Sequence, residues 1–200
     1  MRRRPLTAEN ILEAADRVAR AEGMEALTVR RLCAELGVTA PAIYLHFEGK
    51  NELVARLVNS ILGRIELPSE EEGDWLARLE EFVVRVYDQV SRYPGLAARI
   101  AHQLPGTASS RRNQAFVAEL LASSGLSTSE LGNLTAVVFL YTWGHLVGGE
   151  ASWQVGGFPR VPRSAARDRF LWGLGHLLAS FRLQPTASTG RDRDRKGLGS

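Results

Sequence analysis

The side chains with most to offer chemically lie close together, between Thr28 and Lys50. Small Cys33 stands four residues before Gly37, and Leu32, Leu36, Val38 and Ile43 place apolar contacts on both sides of that turn. A glycine lets the chain turn tightly and a small residue lets two helices approach. The second helix then projects its first side chains into a groove about 12 Å wide. This is the spacing of a helix-turn-helix, and its chemistry is recognition, by hydrogen bonds and ion pairs to double-stranded DNA; taken alone, the same spacing also arises in helical proteins of other function. Catalytic motifs are missing: the sequence holds no His-Glu-x-x-His, no P-loop, no Gly-x-Ser-x-Gly and no Gly-x-Gly-x-x-Gly. The chain therefore reads as no enzyme. With Cys33 its single cysteine, it can build neither an intramolecular disulfide nor a cysteine-based zinc site.

The elements that must position these residues are helices. Apolar residues recur at three- and four-residue spacing almost throughout, and no alternating β-branched run with hairpin turns occurs, so the fold class is all-α. Thr7 caps a first helix running to Glu22 and stopped by Gly23; a second spans Thr28 to Leu36, and a third Thr39 to Phe47, with Pro41 tolerated in its first turn. A fourth, from Lys50 to Ile65, carries Leu53, Leu57, Ile61 and Ile65 at strict four-residue spacing and is long enough to link two domains. Pro68 to Asp74 is an acidic break, and a fifth helix from Trp75 ends at Tyr93-Pro94-Gly95. A short helix to Leu104, a loop over Pro105 to Ser110 and a helix over Asn113 to Ser123 follow. Ser127-Thr128-Ser129-Glu130 is a capping box, and the helix after it is apolar nearly all round from Leu131 to Val147, so both its sides need burial. Gly148 to Pro162 reads as a loop, Ser164 caps a last helix carrying Phe170 to Phe181, and Gln184 to Ser200 reads as disordered. These breaks divide the chain into residues 1–49, a linking helix over 50–67, a second domain over 68–183 and a tail.

Composition agrees with a soluble globular chain: 44% hydrophobic and 24% charged residues over 200 positions. Residues 1–65 carry ten Lys/Arg against eight Asp/Glu, residues 66–159 six against eleven, and residues 160–200 nine against three. An acidic middle repels a polyanion, so the nucleic-acid surface belongs elsewhere. Neither a secretory signal nor a stretch able to span a membrane is visible, which places the protein in the cytoplasm.

Leu27-Thr28-Val29-Arg30-Arg31-Leu32, then Leu36-Gly37-Val38, then Ile43-Tyr44-Leu45-His46-Phe47-Glu48-Gly49-Lys50-Asn51-Glu52-Leu53 closely resembles the DNA-binding domain of the tetracycline-repressor (TetR) family of bacterial regulators. The resemblance implies an all-helical homodimer that represses transcription from a palindromic operator until a small molecule binds the C-terminal domain. It further implies that Thr39, Ala40, Pro41 and Tyr44 face DNA, that His46 lies on the phosphate side, that Arg30 reaches a base or the backbone, and that Lys50 meets a phosphate. Thr28 either caps its helix or touches phosphate. Thr-Ala-Pro-Ala is poor in donors to bases, so specificity leans on Arg30, thymine methyls and DNA shape. Arg2, Arg3 and Arg4 are either an arm along the DNA or a solubilising start.

From Trp75 onward the likeness is looser, resting on Arg92-Tyr93-Pro94-Gly95-Leu96, Gly125-Leu126-Ser127 and Tyr141-x-x-Gly144-x-x-x-Gly148. It implies that the helices over 128–148 and 165–182 pack against their symmetry mates, with Gly144, Gly173 and Gly175 allowing close approach. Phe82, Phe116, Tyr141 and Trp143 with His102, Gln103 and His145 are the candidates to line an effector cavity, and Trp153 to gate it. His102 and Glu150 are too few groups to predict a metal, and no cofactor is expected. The alternative function is DNA binding or scaffolding without an effector.

Overall fold

Thr7 and Thr28 sit in extended backbone, and each accepts a hydrogen bond from the amide three residues on, Asn10 at 3.2 Å and Arg31 at 3.1 Å. Those caps start α1 (Ala8–Glu22) and α2 (Val29–Leu36), which end, as the sequence predicts, at Gly23 and Gly37. Gly37 adopts the left-handed conformation, with φ of 65°, that glycine occupies without strain. The computed structural model describes residues 5–102, 106–150 and 165–182, and every regular element among them is helical.

The third helix is shorter than its sequence suggests: α3 covers Ala40–Tyr44 rather than Thr39 to Phe47. After Tyr44 the chain tightens, the His46 amide bonding the Ile43 carbonyl at 3.0 Å, and this turn swings Phe47 into the core. α4 (Lys50–Gly63) stops two residues before the expected Ile65, although Leu53, Leu57, Ile61 and Ile65 are all fully buried as their spacing requires. In the acidic break Ser69 and Glu72 bond reciprocally around a single helical turn, and Asp74 then caps α5 (Trp75–Val90).

α6 (Leu96–His102) is followed by α7 (Ala108–Ala122), which begins well before the expected Asn113 because Thr107 caps it through the Ser110 amide at 3.2 Å. Ala108 to Ser110 therefore belong to a helix, not to the expected loop. The capping box forms as read: the Ser127 amide donates to Glu130 at 2.7 Å and the Glu130 amide to the Ser127 hydroxyl at 3.4 Å. It opens α8 (Thr128–Glu150), which runs through Gly148, where a loop was expected. α9 (Ala166–Arg182) buries Phe170, Leu174 and Leu178. Gln103, Trp153, Ser164, Arg2 to Arg4 and the tail from Gln184 lie outside the described residues.

α4 packs on α1, α5 and α7, so one helix joins the N-terminal helices to the C-terminal ones within a continuous hydrophobic core. Beside it the turn after α5 docks on the turn after α1. The Met24 amide bonds the Pro94 carbonyl at 2.8 Å, and a Cβ at Gly23 would stand 3.2 Å from that same oxygen. Asp16 of α1 accepts from Arg64 at 2.7 Å and from the buried Tyr93 hydroxyl at 2.8 Å on one oxygen, and from Arg20 at 2.9 Å on the other. Burial pushes the Asp16 carboxyl up, but those hydrogen bonds and the charges of Arg64 and Arg20 outweigh it and hold the group below the usual aspartate range.

Candidate nucleic-acid interface and internal cavity

α3 and the turns beside it form an exposed tip. Tyr44 is 51% exposed and Leu45 84%, unusual for large apolar side chains, while Ile43 and Phe47 anchor the same segment from inside. Thr39 is exposed and makes no side-chain capping bond, so its hydroxyl is free for another partner; Pro41 is exposed and Ala40 half-buried. Thr28 is exposed, but its hydroxyl is engaged as the α2 cap. His46 is half-buried, within electrostatic reach of Glu9 at the start of α1; that carboxylate is held down chiefly by its backbone amide and the Thr7 hydroxyl, and less by His46.

The cations of this region divide cleanly. Arg31 is pinned between Glu22, at 2.6 Å, and Glu35, at 3.1 Å; Arg17 pairs with Glu35, Arg20 and Arg64 with Asp16, and Arg56 with Glu52. Arg30 and Lys50 are exposed, and neither meets a carboxylate among the described residues. Lys50 is also the first residue of α4, where free backbone amides add partial positive charge. An unpaired cation beside such amides suits phosphate.

A cavity of about 440 Å³ lies in the C-terminal half, between α4, α5, α7 and α8, with Ile100 of α6 closing one side. Among the described residues its walls hold no ionisable side chain: aliphatic residues, Phe82, Phe139 and Trp143 make most of them, and Ser110, Asn113, Gln114, Thr135 and Thr142 supply the polar groups. Phe82 and Trp143 thus stand where the sequence suggested. Phe116 sits behind the wall, its ring 5.2 Å from that of Phe82 and 5.6 Å beneath the Arg78 guanidinium. Tyr141 and His145 are not brought to the cavity. They stack with Phe170 and Tyr87 between α8, α9 and α5, and Tyr141 donates to the Phe170 carbonyl at 3.0 Å. Burial, and then the charge of Arg169, holds the His145 imidazole below its ordinary range. Gly173 allows a close approach, but to Tyr141 of its own chain, whereas Gly144 faces open space. His102 is the last residue of α6.

Ser110, Asn113, Gln114 and Thr142 were missed. The first three share one face of α7 with Val117 and Leu121 at helical spacing, a signal hidden by starting that helix at Asn113. On α8 the outward Val137 and Leu140 are 43% and 69% exposed, Phe139 of the cavity wall is itself 43% exposed, and Trp172 of α9 is 67% exposed. No helix among the described residues is long and apolar enough to cross a membrane, and none of their His, Cys, Asp and Glu side chains cluster to hold a metal.

Residues 11–57 match the family described as bacterial regulatory proteins, tetR family. Across 197 residues, 94% of this chain and 70% of the relative, the sequence is 30% identical to the HTH-type transcriptional repressor DrrR1 of Streptomyces coeruleorubidus. The chain belongs to the TetR family. It is thus a regulator of transcription and not an enzyme. The TetR-family fold extends over the C-terminal half as well. ActR of Streptomyces coelicolor, solved with (S)-DNPA, superposes with a TM-score of 0.69 at 24% identity over 90% of this chain and 98% of its own. BioQ, solved with its double-stranded DNA operator, gives 0.68 at 20% identity over 90% and 100%.

Proposed function

We propose that this TetR-family regulator acts in the cytoplasm as a homodimer that binds a palindromic operator and leaves it when a small, hydrophobic effector enters the cavity. One observation carries the reading: α4 begins with Lys50 at the tip and carries Leu62, one residue from its end, at the cavity, so a single helix spans both places. At the tip, Arg30, Tyr44 and Lys50 make the main contacts, with Thr39, Ala40 and Pro41 against the bases, His46 toward the backbone and Thr28 chiefly a cap. Two relatives of the fold support the two halves of the reading, one solved with its operator and one with a small molecule.

The second copy is argued from α8 and α9. Val137, Leu140 and Trp172 leave an apolar surface on the outside of the protomer that a monomer would expose to water. An isologous pair covers it and sets two tips about 34 Å apart, one turn of DNA.

Selecting bound fragments from bacterial genomic DNA tests the core of the proposal. A palindrome with half-sites one turn apart should be enriched, and its affinity should fall when Leu140→Glu and Trp172→Glu together convert the protein to monomers in sedimentation. Failure to enrich any palindrome would count against the reading. An uncharged cavity of drug-sized volume disfavours a purely constitutive DNA-binding or scaffolding role.

A further inference from the structure

The last turn of α4 carries no basic residue, and its end is closed first by the chain itself, the Arg64 and Ile65 amides bonding the Ile61 and Leu62 carbonyls at 3.3 Å. Side chains of α5 and α7 add a second set of donors there. Gln89 of α5 donates to the Ile61 carbonyl at 3.0 Å, Asn113 of α7 to Leu62 at 3.4 Å, and Arg112 of α7 to Gly63 at 3.4 Å and to Ile65 at 2.5 Å. Arg112 also donates to the Asn113 side-chain oxygen, at 3.0 Å, which fixes the carboxamide with its NH2 toward α4. Of these three side chains only Asn113 lines the cavity.

That position gives Asn113 two possible partners. It is buried, and its bond to Leu62, at 3.4 Å, is long for an N–H···O bond, so little is lost when its NH2 turns to a better acceptor. A cavity occupant with a carbonyl oxygen at the α7 wall is such an acceptor. Because no wall residue among those described is ionisable, a charged occupant finds no counter-charge there, whereas a neutral one finds apolar walls and a polar edge on α7 built from Ser110, Asn113 and Gln114.

We propose that Asn113 is the residue through which occupancy is read: an uncharged, largely apolar molecule bearing a carbonyl draws the Asn113 amide from the Leu62 carbonyl and so loosens the C-terminal end of α4. The inference rests on the cavity being the effector site, as argued above. It adds the chemical class of the effector and the bond that it breaks.

The probe is prodan, an uncharged fluorescent aromatic ketone, compared with its analogue in which the ketone is reduced to a methylene; DNA affinity is measured on the enriched operator by anisotropy. In the unaltered protein prodan should raise the Kd for DNA by at least about fivefold, within the usual range of coupling between sites. The analogue should bind and change it less than about twofold. In Asn113→Leu, and in Asn113→Ser should the bulk of leucine disturb folding, prodan should still bind, with its emission blue-shifted, while its effect on DNA disappears. Gln114→Leu, on the same wall but not bonded to α4, should keep the effect. If prodan shifts DNA affinity equally in the unaltered and Asn113 proteins, the role of Asn113 is overturned and the cavity reading stands. If prodan enters the unaltered protein, is excluded by Val138→Trp, and leaves DNA affinity unchanged, the cavity reading itself fails. No uptake at all overturns the assigned ligand class.

Discussion

The tip around α3 and the cavity between α5, α7 and α8 treat charge in opposite ways. At the tip, most arginines are neutralised by carboxylates, and Arg30 and Lys50 stand out because they are not. Among the described residues the cavity wall carries no ionisable side chain, and its polar atoms belong to amides and hydroxyls. Solvent explains the difference. A cation on the surface keeps its water until a phosphate replaces it, so leaving it unpaired costs little, whereas the same cation on an apolar cavity wall loses much of its hydration with no return. Each region therefore selects its partner by what it leaves unsatisfied: charge at the tip, apolar surface in the cavity.

Moving one charge between the regions is the strongest way to break this contrast. Val138→Lys puts an ammonium on the cavity wall and should destabilise the protein by about 3 kcal/mol or more, the scale of an uncompensated buried charge. Thr39→Lys puts the same group on the tip and should change stability by less than about 0.5 kcal/mol, while steepening the salt dependence of DNA binding by about one unit. Thermal unfolding and affinity at several salt concentrations decide both. Equal tolerance of the two lysines would remove the distinction.

The next comparison is within the tip, between neighbours. Arg30→Ala and Lys50→Ala should each weaken DNA binding about tenfold and flatten the salt slope by about one unit, leaving the melting temperature where it was. Arg31→Ala removes a guanidinium already held by Glu22 and Glu35, so it should lower the melting temperature slightly and leave the salt slope of DNA binding unchanged. Reversed behaviour of Arg30 and Arg31 would show that the ion pairs, and not the free cations, mark the contact surface.

How legible each region was in the sequence follows from the range of its interactions. α1, α2 and the capping box at Ser127 are local devices: a hydroxyl, an amide three residues on and a glycine suffice, and all three stand as read. α7 was begun too late because its first turns bury Ser110 and Asn113 against α4 and the cavity, which leaves no apolar period to see. Tyr141 and His145 were placed at the cavity on residue type alone. α8 is apolar on every side, so periodicity cannot say which side faces α9, and packing against Phe170 decided it. The separation of Arg30 from Arg31 was invisible for a related reason: Glu22, nine residues away, reaches Arg31 only once α1 and α2 have packed.

The smallest effect expected lies where the two regions are fastened together. Asp16→Asn keeps the shape of the joint but removes the charge that Arg64, Arg20 and Tyr93 converge on, and should cost about 1 kcal/mol, a fall in Tm of roughly 2–4 °C. Its pH dependence separates this from a packing defect. The folded carboxyl titrates below its ordinary value of 3.8, so its contribution is complete above pH 3.8 and is lost as pH falls through the lower folded value. The difference in Tm between the two proteins should thus be constant from neutrality down to about pH 4 and close below that, because acid turns the aspartate into the neutral group that asparagine already is. A gap that persists in acid would mean that Asp16 fills space at the joint and that its charge does not hold α1 to the turns after α4 and α5.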